Sequence, residues 1–236
     1  MLRKLLVFIL VFNFTACAEL QQVVDQLPDG TSGISNTDIA SGLRQALDLG
    51  IDKQVSKLTQ KDGFFKNDLV KILLPEELKK VDKALRDIGL SSLADEGLKV
   101  LNRAAEDAVG EATPIFVNAV KDITFTDAKN ILLGNDNAAT QYLTGKTQTA
   151  LYDKFHPVIN KSFHDVGADQ IWSNLITKYN TLPFTNDVNT DLTSYVTEEA
   201  LKGVYTMIAV EEKEIRNKIS SRTTDLLKKV FALQDS

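Results

Sequence analysis

Cysteine is nearly absent from this sequence, with one among 236 residues. A single thiol excludes a disulfide framework within the chain and any cysteine-based zinc cluster. Histidine occurs twice, which leaves no purely histidine metal site. Proline at 5 and glycine at 12 are too few for a collagen-like, linker-dominated or turn-rich all-β protein. Basic residues are outnumbered, 27 against 32 acidic ones, and no basic block occurs, so the chain is a poor nucleic-acid binder. What is present, 43% hydrophobic and 25% charged residues, is the composition of a globular protein with chain enough for one large domain or two small ones.

The apolar run at residues 5–12 is well short of the roughly 20 residues that a helix needs to span a bilayer. Arg3 and Lys4 precede it, and Phe14-Thr15-Ala16-Cys17 closes it with small residues, the layout of a secretory signal peptide. These four residues resemble a bacterial lipobox, with Phe14 where Leu is commoner. The resemblance implies acylation of Cys17 and anchoring through more than one acyl chain. Ala18, where an Asp would imply inner-membrane retention, implies the outer membrane, facing the periplasm. The alternative is an ordinary signal peptide cut near Ala16 or Ala18. The expected organisation is a signal peptide at 1–16, a lipidated N-terminus and flexible tether at 17–35, and one folded domain at 36–236. Loss of Arg3 and Lys4 leaves 25 basic against 32 acidic residues, a net charge of −7. Membrane attachment is therefore assigned to the acyl chains alone.

Helical periodicity fills the rest. Asn36 or Thr37 is expected to cap a helix with Ile39, Leu43, Leu47, Ile51, Val55 and Leu58 on one drifting stripe, stopped by Lys61-Asp62-Gly63. Residues 68–74 read as a helical turn or a strand without a partner. Pro75-Glu76-Glu77 opens a helix that Gly89 ends, and Ser91 or Ser92 begins the next, with Gly97, Leu101, Ala104, Ala105 and Ala108 on one face. Pro114 divides that helix from one at 115–123, and Thr124 with Asp127 forms a capping box for a helix ended by Gly134. Segments at 135–143, 147–163, 168–179, 188–218 and 222–233 complete an all-α domain of about nine helices.

No cofactor loop or metal site is expected. Gly145-Lys146-Thr147 lacks the upstream glycine of a phosphate loop, with Thr140 in its place. His156 and His164 stand about 12 Å apart along a helix, too far to share a metal. Two polar groups are more informative. A step of about 100° per residue places Asn102 and Glu106 together at the edge of an apolar stripe, with Arg103 and Asp107 opposite as an exposed pair. In the last long helix Glu199 and Glu211 fall inside the apolar face, and buried carboxylates need partners, for which Arg216 and Arg222 are the nearby choices, with Arg103 a third if helices pack suitably.

With its signal, residues 102–108 (NRAAEDA), 125–134 (FTDAKNILLG), 138–143 (AATQYL) and the tail from 211 to 231, the chain resembles the bacterial domain-of-unknown-function family numbered 4197. The resemblance implies an exported helical domain in the envelope of a Gram-negative bacterium, and carries over no reaction, ligand or catalytic residue. Two readings follow. In one, a non-catalytic envelope lipoprotein binds a protein partner or a small apolar ligand between helices, Glu199, Glu211, Arg216 and Arg222 are structural, and Asn102 and Glu106 border the groove. In the other, a hydrolase or lyase acts on an envelope polymer, with at least two of Glu106, Glu111, Glu199 and Glu211 around one cleft. Cys17→Ala is expected to release the protein from washed membranes; retention of the variant there would contradict lipid anchoring.

Overall fold

In a computed structural model, the described residues are 34–235, apart from 88, 90, 166–167 and 181–191. Cys17 and the expected signal peptide lie outside them, as does most of the tether. Among the described residues there are nine α-helices and no strand: α1 (Asn36–Leu58), α2 (Glu76–Asp87), α3 (Ser91–Val109), α4 (Ala112–Lys121), α5 (Phe125–Leu132), α6 (Ala138–Asp165), α7 (Ala168–Asn180), α8 (Thr193–Asn217) and α9 (Asp225–Phe231). None of them is long and apolar enough to cross a membrane.

The centre is an α6–α8 pair. α3 lies against both, α1 packs on α8, α4, α5 and α9, and α2 and α7 pack on α3. The stripe expected on α1 is buried from Ile39 to Leu58. On α3 the face from Gly97 through Ala108 is buried as well, and its small residues admit α6 and the indole of Trp172 from α7.

α6 corrects the expected segmentation. One 28-residue helix replaces the two segments at 135–143 and 147–163, and it runs through Gly145 and Pro157. Its buried positions Ala139, Leu143, Thr147, Leu151, Phe155, Ile159 and Phe163 recur at every fourth residue. Four residues overshoot a 3.6-residue turn by about 40°, so the apolar line winds around the axis and meets different neighbours along its length. That is why α6 touches α3, α4, α5, α7 and α8, while Gly145 at its exposed surface looks like a break in the sequence.

Several helix ends also move. Ser35, not Asn36 or Thr37, caps α1, because only Ser35 stands three residues before Asp38, and the two exchange side-chain-to-backbone hydrogen bonds of 3.0 and 3.1 Å. The capping box of Thr124 and Asp127 forms as expected. α3 ends at Val109 and α4 starts at Ala112, so Pro114 sits in a first turn, where no backbone donor is missed. α9 begins at Asp225 rather than at Arg222, whose side chain is used elsewhere.

The 17-residue connector between α1 and α2, residues 59–75, has no regular structure beyond turns. Asp62 takes a left-handed conformation (φ 66°). At Gly63 a side chain would meet the carbonyl oxygens of Leu58 and Lys57 at 2.5 and 2.6 Å, so only glycine fits this return. Phe64 is then inserted, fully buried, against Gly203 of α8, where an added Cβ would lie 2.6 Å from the ring. Gly203→Ala is expected to lower stability by about 1–3 kcal/mol through this overpacking, whereas Gly145→Ala, with open space around it, should raise it by about 0.5–1 kcal/mol. Thermal melts of the two variants shifting in the same direction would contradict the packing described.

Candidate functional site

Asn102 and Glu106, one turn apart on α3, face the connector and bind its backbone. The side-chain amide of Asn102, buried, accepts from the Ile72 N–H at 2.8 Å and donates to the Ile72 carbonyl and to that of Leu98, both at 2.9 Å. A side chain thus satisfies both peptide groups of Ile72, as a neighbouring strand would. The apolar run at 68–74 therefore forms neither helix nor strand: residues 71–75 have no regular structure, and Ile72 is paired through an amide instead of a sheet. Glu106, also buried, accepts from the backbone N–H groups of Asp62 and Phe64 at 3.3 and 3.2 Å and from Arg103 at 2.5 Å. Arg103 therefore does not pair with Asp107, as the helical projection suggested. It leans towards the connector, with Asp62 at 3.8 Å, and Asp107 instead accepts from Ser162 at 3.0 Å. Lys66, hydrogen-bonded to Asp62, together with Arg103 and Lys61, holds the Asp62 carboxyl below the usual aspartate range. Further along, the Tyr195 hydroxyl on α8 donates to the Leu73 carbonyl at 2.9 Å.

The residues of the second group find separate partners. Glu211 is buried as expected, but its partners come from α1: Gln54 at 2.7 Å and Lys53 at 2.8 Å. Arg216 is too far around α8 to reach it and pairs with Glu212, four residues away, at 2.8 Å. Glu212 was missed in the sequence, although the Glu-before-Arg order at that spacing is the favourable one on a helix. Its carboxylate accepts from the N–H groups of Ala139 and Thr140 at 2.9 and 2.8 Å, so it caps the start of α6 from another helix. Arg216 donates to the carbonyls of Leu132 and Ile131 at 3.1 and 2.7 Å, which caps the end of α5. Arg222 does the same for α8, through the carbonyls of Ile215 and Arg216, and binds the Asp235 carboxylate with both terminal nitrogens. Glu199 corrects the projection: it is half-exposed and pairs with Lys202 at 3.4 Å, because α8 is uncovered on that side.

Two open clefts of about 600 Å³ each flank the connector. One lies between residues 69–76 and α8 and is lined by Leu69, Leu73, Lys79, Tyr195, Glu199 and Lys202 among others. The second lies between residues 61–66 and α3 and includes Phe65, Lys99, Arg103 and Glu106. A third cavity, between α1 and α8 beside Glu211, holds about 20 Å³, room for little more than one water molecule. Glu106, Glu199 and Glu211 thus line three different cavities, and Glu111 is exposed at the turn before α4. The shared carboxylate cleft expected of an enzyme is not formed by these four residues. Among the described residues no cluster of three His, Cys, Asp or Glu side chains could hold a metal ion.

Two outcomes follow from this geometry. Asn102→Ala should leave both peptide groups of Ile72 unpaired in the interior, at about 1–3 kcal/mol for each, and expose the connector to trypsin at Lys66 and Lys71. An unchanged cleavage rate would show that Asn102 does not hold the connector. The Arg222 guanidinium, hydrogen-bonded to Asp235, holds that carboxyl below its ordinary range. The stability this adds is present above the unfolded-state value near pH 4 and is lost as pH falls through the lower folded value. Asp235→Asn is therefore expected to lower the melting temperature at neutral pH and to flatten its decline below about pH 4. A parallel acid limb in variant and parent would contradict this.

A family model described as Protein of unknown function (DUF4197) matches residues 33–232, so the chain belongs to that family. No curated protein and no solved structure matches it.

Proposed function

We propose that this member of the DUF4197 family is a non-catalytic binding module of the Gram-negative envelope, lipid-anchored through Cys17 to the outer membrane, which presents the 59–75 connector to a protein partner. The observation that carries the reading is the connector itself. Unstructured loops of more than about 12–15 residues are uncommon inside compact domains, and an ordered one is usually functional. Here three polar side chains, Asn102, Glu106 and Tyr195, hold its backbone in place. The same segment leaves Leu69 and Leu73 64% and 54% exposed at the rim of the cleft with α8. Apolar side chains on a fixed backbone are suited to a protein surface, whereas the small cavity between α1 and α8 has no room for an apolar ligand. Separation of Glu106, Glu199 and Glu211 weighs against the hydrolase or lyase reading built on those residues.

Photo-crosslinking from position 69 or 73 in the native host tests this. The expected result is a discrete adduct with one protein from position 69, abolished by Leu73→Asp while the melting temperature is kept. Adducts of equal yield from Leu133, exposed on another part of the surface, would overturn it.

A further inference from the structure

The other flank of the connector carries charge of the unexpected sign. On a chain with a formal charge of −5, the cleft between residues 61–66 and α3 gathers Lys61, Lys66, Lys99 and Arg103 around Phe65. Lys71, which lines the cleft on the other flank of the connector, approaches the same ring: its Nζ stands 4.4 Å from the centroid of the Phe65 ring, and that of Lys99 stands 5.8 Å from the same centroid. Both lie within the range where an ammonium is attracted to an aromatic face.

The cations of this cleft differ in what they already hold. Lys66 is paired with Asp62 at 2.8 Å, and Arg103 with the buried Glu106 at 2.5 Å. Among the described residues no carboxylate lies within ion-pair distance of Lys71 or Lys99. Of the three carboxylates lining the cleft, Asp62 and Glu106 are taken up by these cations and by backbone amides, which leaves Glu96. Two ammoniums without a carboxylate partner at one ring leave positive charge there that an anion would offset.

We propose that the cleft at Phe65 binds a phosphate ester, its phosphate drawn to the ammoniums of Lys99 and Lys71 beside that ring. A phosphate monoester carries about −1.5 to −2 charges at neutral pH, which matches two ammoniums better than a single carboxylate does. Planar carboxylates are bound best by the fork of an arginine, and the one arginine lining this cleft is engaged by Glu106. Lysine binds phosphate as a point charge and needs no such fork. The volume of about 600 Å³ is that of a small-molecule site or of a lipid headgroup.

Calorimetric titration of the full chain carrying Cys17→Ala with phenyl phosphate is the first arm of the test. Saturable binding at millimolar concentration is expected, weakened about tenfold or more in Lys71→Gln/Lys99→Gln and tightened in Glu96→Gln, with unchanged circular dichroism. The second arm is co-sedimentation with phosphatidylcholine vesicles with and without phosphatidic acid. It is read as the difference between parent and double variant, so that the N-terminal segment common to both cancels. A lysine-dependent difference with phosphatidic acid vesicles alone assigns the phosphate to a headgroup, and one with phenyl phosphate alone assigns it to a soluble ester. Absence of a lysine-dependent difference in both arms overturns the proposal.

Discussion

The buried contact of Asn102 and Glu106 with the connector backbone is the interaction on which the rest of the molecule's surface depends. An irregular segment of 17 residues carries backbone donors and acceptors that no helix or sheet satisfies. Two side chains one turn apart on α3 take up four of these groups at residues 62, 64 and 72. With the backbone paired, Phe64 and Ile72 can enter the core, and the side chains between and beyond them are left at the surface in fixed positions. Both clefts are consequences of this. Their walls on one side are α3 and α8, and on the other the connector that those helices hold.

A related principle governs the far end of the domain. Each helix terminus leaves backbone groups without a partner inside the helix, and most short helices satisfy them locally. Here α8 supplies those partners to its neighbours. Glu212 receives the first amides of α6, Arg216 receives the last carbonyls of α5, and Arg222 turns back on the end of α8 itself. The ion pair of Glu212 and Arg216 is therefore not isolated in an apolar interior. Each partner also bonds a helix end whose dipole has the opposite sign, which offsets the cost of removing both charges from water.

Much of the architecture is written in periodicity. The α1 stripe, the small-residue face of α3 and the capping box at Thr124 are local features, and they form where the residue order places them. Local order misleads where the partner is distant. The residue order around the exposed Gly145 suggests two segments where α6 is one helix, because nothing nearby reveals that its buried line drifts from one neighbour to another. Glu199 and Glu211 both fall within the broad apolar face on a helical projection, about 120° apart, yet one reaches Lys202 at an open cleft and the other reaches Lys53 and Gln54 on α1. The projection gives a direction around the axis, but not what stands in that direction.

The motif at 102–108 illustrates the division most clearly. Residue order alone determined that Asn102 and Glu106 share a face, because a helix repeats every 3.6 residues whatever surrounds it. Only the tertiary structure decided what that face meets: a loop 30 to 44 positions earlier, whose N–H groups at residues 62, 64 and 72 it takes up. Fold class and the direction of the polar side chains follow from short-range geometry along the chain. Which carboxylates are saturated, which lysines remain unpaired and where the clefts open depend on contacts between segments far apart in sequence, and those are settled only when the helices pack.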